Sequence, residues 1–456
     1  MGEIGSGGKG GFSGNLTQRI IKALGVFAGV QSAGMLCSVI RAKLIAMWIG
    51  PAGVGLNALL TNSLELISQL TQAGIRVSAV RSIAAETEDS RRTNIVTALL
   101  RWALWLGCGG AILTLALAPL LSLTTFGSTD RSWMFVLLSI AVLASALSIG
   151  RIAALQGLGE LKHLARLTVT SILISTALAV PLFYYFRLGS IVWVVTIFAL
   201  VQAVVFCSDG KIRRDRPAMS HRECISTGMP FIKLGLILTI SNALTMVSSY
   251  VVTVFLNRYA STAEVGIYQA GFAIINNYMG ILVSALTVEY FPRLSANIGQ
   301  RRRCEVLVSH QITVIMSLLV PGVILFLLLR SQVVWLLYSP EFSDVIPYLT
   351  YAVGGGVLRM VASCMALCML ASADSRAYMA TEIGSSAAGM LLAVGGYIAG
   401  GIAGMGIAYL IWYASYTLAV WAVYRYRYRM RLRGRTVAIL GFGLVLIAVA
   451  QALAAL

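Results

Sequence analysis

The sequence predicts an all-α polytopic membrane protein built from two parallel six-helix repeats, with an accessory helix at the C-terminal end. Three observations carry this. The 456 residues are 58% hydrophobic and only 11% charged, with a mean hydropathy of +0.84, whereas soluble domains carry about 25% charged residues. Apolar runs of the roughly 20 residues needed to cross a bilayer as a helix recur along most of the chain. Motifs of the first half also return in the second at one offset. Val54-Gly55 returns as Val265-Gly266, 211 residues on, and ALQGLGELKHLAR (154–166) as ALCMLASADSRAY (366–378), 212 residues on.

The elements follow in order. The first apolar segment, 20–48, precedes the GPAGVG turn, and the second, 53–80, follows it. A loop holding Glu86, Glu88, Asp89, Arg91 and Arg92 leads to 95–121, then 132–156, 164–186 and 190–208 complete the first half. The stretch SDGKIRRDRPAMSHRE (208–223) is the longest polar interval and divides six segments from six. The second half reads 230–256, 264–290, 306–328, 346–371, 376–399 and 402–424, and a thirteenth segment, 436–456, is long enough to span. The domains expected are a flexible tail (1–17), a first lobe (18–208), a cytoplasmic linker (209–229), a second lobe (230–424), and a basic loop with its accessory helix (425–456). Because six is even, both halves enter the membrane from the same side, as parallel repeats do. Gly25 and Gly29, and Gly396 and Gly400, have the small-xxx-small spacing of close helix packing.

The basic residues sort by side. One set of ends holds Arg91, Arg92, Arg213, Arg214, Arg301, Arg302, Arg303 and the run from Arg425 to Arg435, while the other holds only Arg131, Arg187, Arg258 and Arg330. Lys and Arg concentrate in cytoplasmic loops, which places the N-terminus inside. The net charge of +18 is largely this asymmetry and suits anionic headgroups. Lodged between two apolar segments, YRYRYRMRLRGR reads as a topology anchor rather than a nucleic-acid site.

Other chemistry is sparse. The seven cysteines form no CxxC pair and read as small packing residues. His163, His221 and His310 lie far apart, with no HExxH or zinc spacing, so neither a metal nor a cofactor is expected. GSGGKGG near the start lacks the phosphate-loop spacing and a preceding strand. No small-residue cleavage site follows a short apolar core, so no signal peptide is read there. A membrane glycosyltransferase would need paired carboxylates. The one acidic cluster, Glu86, Glu88 and Asp89, reads as a solvated turn, and an enzyme is not expected.

Six cations fall within the apolar segments: Arg41, Lys43, Arg76, Arg101, Lys233 and Arg359. A cation at mid-bilayer costs at least ~3 kcal/mol on insertion scales, and such residues face a wet cavity or a partner unless they snorkel. Arg101, Lys233, Arg76 and Lys43 lie close enough to segment ends to snorkel. Arg41 is deeper, and Arg359 is mid-segment. In the second segment Thr61, Glu65, Ser68, Gln72 and Arg76 are spaced by four, three, four and four, one face of a helix. Weaker stripes are Gln31, Gly34, Ser38 and Arg41, and Gln269, Asn276, Asn277 and Ser284. Interhelical hydrogen bonding is the plainer use of such stripes; a cavity wall is the other. Against six cations only Glu65 and Glu289 stand clearly inside, with Glu382 nearer a cytoplasmic end. A cavity so lined is net positive and concentrates anions, and Arg binds phosphate oxygens in pairs. An anionic cargo, partly polar and partly lipidic, is expected.

GPAGVG after the first segment, VGIYQA at the start of the eighth, TVEYFPRLS closing it and WLLYSPEF in an outer loop resemble the oligosaccharide-lipid flippases. These are the O-antigen or Wzx-type members of the polysaccharide transport family, in the MOP superfamily that includes the MATE transporters. The resemblance covers nearly the whole chain. It implies a twelve-helix, two-lobed, V-shaped MATE-like fold. It also implies transfer of undecaprenyl-diphosphate-linked oligosaccharide repeat units from the cytoplasmic to the periplasmic leaflet of a bacterial inner membrane. In that family cavity cations are thought to meet the diphosphate and sugar. Arg359, within GVLR, and Lys43, just before GPAGVG, match basic positions there. Arg41, Arg76, Asn276, Asn277, Gln72, Arg101 and Lys233 join them as candidate cavity residues, with Glu65 and Glu289 as candidate coupling sites for H+ or Na+. Membrane lipids and the polysaccharide polymerase machinery are the other expected partners, and nucleic acid is not. The thirteenth segment departs from the family pattern. The alternatives are a lipid II flippase, which generally has two extra helices, and a MATE-type drug or cation antiporter. Antiporters of that type usually keep a carboxylate on the first or seventh helix, and neither segment has one here.

Overall fold

A transmembrane chain must satisfy its backbone polar groups internally, which long apolar segments do as helices. The computed structural model describes residues 34–72, 74–210 and 219–455, and every element in them is helical. The tail 1–17, Gln31 and the charged centre of the linker, 211–218, lie outside the described residues, as does the side chain of Ser284. The helices are α1 (34–48), α2 (Pro51–Thr71), α3 (Ile75–Ala85), α4 (Asp89–Ala116), α5 (Ala118–Phe126), α6 (Ser132–Gly157), α7 (Leu161–Phe186) and α8 (Ser190–Cys207), followed by α9 (His221–Tyr259) and α10 (Thr262–Ala285). A π-turn, Leu286–Tyr290, leads into α11 (Phe291–Ala296), then come α12 (Arg301–Leu337), α13 (Ile346–Ala371), α14 (Ser375–Ala422) and α15 (Gly434–Ala455). Seven helical stretches among the described residues are long and apolar enough to cross a membrane, α15 among them. One of the seven contains both α7 and α8, and another contains α14, which breaks at Gly400 and Gly401 where the sequence predicts a boundary. The chain is an all-α polytopic membrane protein.

Two compact units form. The first holds residues 34–42, Ile67–Ser122 and Thr129–Thr239, and the second holds Lys43–Leu66, Leu123–Ser128 and Ile240–Leu456. The core of the first is built on Ile75, Ala79, Ile83, Leu99, Ala153 and Phe206. Cys224 and Phe231 of α9 join it, and Trp102 Nε1 donates to the Cys224 carbonyl at 3.2 Å. That packing carries α9 back to His221, where the sequence suggests a start near 230.

The second segment is not one helix. α2 ends at Thr71 and α3 begins at Ile75, because Gly74 takes the left-handed conformation, φ +58°. A Cβ there would lie 2.5 Å from the Gly235 carbonyl oxygen and 2.8 Å from Thr239 Oγ1. A β-branched residue is a genuine outlier at positive φ. Gly74→Val is therefore expected to cost about 2 kcal/mol or more, read as a lower thermal midpoint of the purified protein in detergent. The polar stripe is divided too, within α2, where the boundary between the units falls at Leu66–Ile67. Thr61 and Glu65 pack with the second unit, while Ser68, Gln72 and Arg76 belong to the first.

In the second unit the start of α2 crosses the start of α10 at glycine. A Cβ on Gly55 would lie 1.8 Å from the Thr262 carbonyl oxygen, and one on Gly266 would lie 1.9 Å from the Pro51 carbonyl oxygen. Thr262 follows Pro51, and Gly266 follows Gly55, by the same 211 residues. The repeat motif thus contacts its own counterpart reciprocally, as surfaces related by a two-fold axis do. α13 is the unit's buried centre. Its run Gly354–Gly356 admits Gln451 of α15 and Tyr409 of α14 side by side, with Cβ positions 2.6 and 2.7 Å from those side chains. Gln451 Nε2 donates to the Thr350 and Tyr351 carbonyls at 2.9 and 3.2 Å, and the Arg330 guanidinium joins the Leu327 and Ala454 carbonyls. The accessory helix is docked by hydrogen bonds as well as by apolar area.

Candidate functional site

The glycine run in α13 sets up a cavity. Because Gly355 lets the α14 backbone and Tyr409 come close, the next turn of α14 presents Trp412, Tyr413 and Tyr416 beside Arg359, one turn beyond Gly355. These residues line a cavity of about 470 Å3 that lies wholly within the second unit. α2 contributes Asn62 and Glu65, α9 contributes Thr245 and Ser249, and α10 contributes Phe272 and Asn276. The first half of α14 adds Tyr378, Glu382, Ser385 and Ser386.

Most polar side chains in the wall are held in place. The Arg359 guanidinium donates to Asn276 Oδ1 and lies 5.5 Å from the Tyr413 ring centre. Tyr413 stacks on Trp412 at 4.6 Å and 27°. The indole N–H of Trp412 reaches Ser385 Oγ at 2.9 Å, and the Tyr416 hydroxyl donates to Glu382. Asn62 donates to Thr253 at 3.1 Å, and Thr245 pairs with Ser386 at 3.0 Å. The result is an aromatic wall flanked by one guanidinium, two carboxylates, two amides and several hydroxyls.

Of the residues singled out in the sequence, Arg359, Asn276 and Glu65 meet here. The others go elsewhere. In the first unit Arg41 sits 4.2 Å above the Phe198 ring, and Arg76 bonds Gln156 at 3.4 Å. There too Arg101 bonds the Met219 carbonyl, Lys233 is exposed, and Gln72 is buried against Ser145 at 3.1 Å. In the second unit Lys43 donates to the Trp335 carbonyl at 2.7 Å and lies over its ring. Asn277, a hundred degrees around the helix from Asn276, is exposed. Glu289 pairs with Arg293 at 3.0 Å, and both are exposed.

The expected excess of cations is corrected in this cavity, where Arg359 faces Glu65 and Glu382. Counting charges along a segment treats every face as one; Arg41, Lys43 and Arg101 are met by a ring or a backbone carbonyl, Arg76 by the Gln156 side chain, and Lys233 is exposed. Glu382, nearer a segment end in the sequence, lies two turns into α14 and lines the cavity. The aromatic wall adds residues that the sequence reading does not single out. Its signal was present, since Tyr409, Tyr413 and Tyr416 recur at intervals of four and three.

Comparison with known proteins agrees with this architecture. A family model described as "Polysaccharide biosynthesis protein" matches residues 20–298. The lipid III flippases of Escherichia coli (strain K12) and Shigella flexneri are each 24% identical over 383 residues, covering 82% of this chain and 90% of theirs. An inward-facing multidrug resistance MATE family transporter of the MOP superfamily superposes with a TM-score of 0.72 at 14% identity, over 86% of this chain and 94% of that one. The lipid II flippase MurJ, in an inward closed conformation, superposes with a TM-score of 0.64 at 12% identity, over 94% and 97%. The chain belongs to the polysaccharide biosynthesis protein family, in an all-helical fold shared with MATE transporters and a lipid II flippase.

Proposed function

We propose that this protein is a flippase for lipid-linked oligosaccharides. It moves undecaprenyl-diphosphate-linked repeat units, of the O-antigen kind, from the cytoplasmic to the periplasmic leaflet of a bacterial inner membrane, with its N-terminus in the cytoplasm. The observation that carries the reading is the cavity around Arg359, in the middle of α13, with hydrogen-bonding groups of both senses. The flippase relatives support it.

The lining suits the sugar end of such a cargo. A carboxylate only accepts hydrogen bonds, and a guanidinium only donates. A polyhydroxylated head offers both, so it satisfies Glu65 and Glu382 while Arg359 and the amides donate to its oxygens. A bare diphosphate accepts only and offers neither carboxylate a donor. The diphosphate falls to cations outside this cavity, and the prenyl tail stays in lipid. Alternate exposure of the cavity to the two sides then carries the head across. Of the two coupling candidates, Glu65 lines the cavity and is the better placed for H+ or Na+. The polymerase that consumes the flipped unit is the natural downstream partner.

The two cavity carboxylates also favour a second reading, export of a cationic drug. Glu382→Gln separates the readings, because glutamine keeps the size and an acceptor for Tyr416 but removes the charge. A sugar site is expected to lose about tenfold or less, the scale of one altered hydrogen bond, whereas a cation site is abolished. The assay is expression in cells lacking their own flippase, scoring surface polysaccharide and resistance to cationic dyes with membrane protein levels matched. Restored polysaccharide supports the flippase. Dye resistance without polysaccharide replaces it with the antiporter.

A further inference from the structure

The loop between α14 and α15 is held rigidly while its arginine side chains are left without acids. The π-turn Val423–Arg427 closes α14, and Arg429, with φ +53°, reverses the chain. Asp374, at the start of α14, accepts from Arg427 Nε at 2.6 Å and from the Tyr428 hydroxyl at 2.9 Å. Hydrogen bonds from Arg427, Tyr428 and the Ala377 N–H hold the Asp374 carboxyl below the usual carboxylate range. On α12, Glu305 accepts from the Arg431 N–H at 2.8 Å and pairs with Arg301 at 3.2 Å. Ser309 Oγ accepts the Arg433 N–H at 3.1 Å. The nearby acids are thus engaged in fixing the backbone and the flanking side chains.

What remains is positive. The side chains of Arg302, Arg303, Arg429, Arg431, Arg433 and Arg435 are exposed and have no acidic partner among the described residues. α12 also begins without a side-chain cap at Gln300, which adds the positive end of a helix dipole. Like charges gathered on a rigid frame repel one another unless counter-charge is supplied. Both flanking helices, α12 and α15, are long and apolar enough to cross a membrane, so the loop stands at the membrane–water boundary, where headgroup phosphates lie.

We infer that this loop and the first turn of α12 form a docking platform for the phosphates of anionic phospholipid headgroups. The lipids neutralise the platform and fix the accessory helix against α12. The platform is separate from the cavity around Arg359, and its occupancy does not depend on what that cavity carries.

The test uses the full-length protein purified in an uncharged detergent. Its thermal unfolding is followed with added phosphatidylglycerol, phosphatidylcholine or inorganic phosphate. Phosphatidylglycerol should raise the midpoint by several degrees, phosphatidylcholine and phosphate should not, and salt should erase the gain. Replacing Arg429, Arg431, Arg433 and Arg435 together with Ser should raise the phosphatidylglycerol concentration needed by up to about a thousandfold, while the four-Lys version should retain the response. The pair Arg302→Ser and Arg303→Ser leaves the loop intact and should weaken the response too, and it carries the test if the four-Ser protein does not fold. Equal shifts with both lipids, an equal shift with phosphate alone, or a full response in the Ser variants would overturn the inference.

Discussion

Arg359→Ala should abolish export of surface polysaccharide while the protein remains in the membrane. Among the described residues that line the cavity the guanidinium is the one cation, fixed by Asn276 and set against the Tyr413 ring. Its removal leaves the Asn276 amide oxygen without its donor and the two carboxylates without a facing positive charge, and a cargo loses charge-assisted hydrogen bonds worth roughly 1.5–3 kcal/mol each. One or two such bonds correspond to a fall of about a hundredfold or more in transport. Arg359→Lys keeps the charge but not the planar fork, so it should retain a small part of the activity. The comparison requires surface polysaccharide scored against the amount of membrane protein for each variant. Wild-type polysaccharide from the Ala variant would exclude Arg359 from the path of the cargo. Loss of the protein itself would instead mean that its bond to Asn276 is chiefly structural.

Much of this architecture is legible in the sequence, for identifiable reasons. Lipid demands long apolar helices, so α6, α7, α8 and α13 stand out as long, mostly apolar segments. The break in α14 is legible because Gly400-Gly401 permits conformations that other residues avoid. The break after α2 is not, since Gly74 stands alone and the forces that use it come from α9, far along the chain. Arg359 is legible as a site residue because no segment end lies within its reach. Arg41 reads in sequence as the deeper of the two and Lys43 as near an end, but the sequence does not say that one lies over a ring in the first unit and the other on a carbonyl in the second. The spacing of Tyr409, Tyr413 and Tyr416 is local, but that this face and Glu382 meet Arg359 is set by the approach of α14 to the Gly354–Gly356 run, a tertiary event.

The reciprocal glycine crossing offers the second large effect. A methyl group on Gly55 or on Gly266 cannot be accommodated without moving α2 away from α10, because each would lie within 2 Å of a carbonyl oxygen, at 1.8 and 1.9 Å. Backbone cannot swing aside as a side chain can, so each single Ala variant should cost about 1–3 kcal/mol as overpacking. The pair Asn62–Thr253 lies further along α2 and should loosen with the same displacement, disturbing the cavity wall and lowering export as well as stability. The two costs should not add. Once α2 and α10 have separated to admit one methyl, the second enters space already opened, so the double variant should lie well short of the sum. Thermal midpoints of the wild type, both single variants and the double variant measure this coupling. Additive shifts would mean that the two glycines answer to separate constraints, and that the 211-residue symmetry of the crossing has no mechanical consequence.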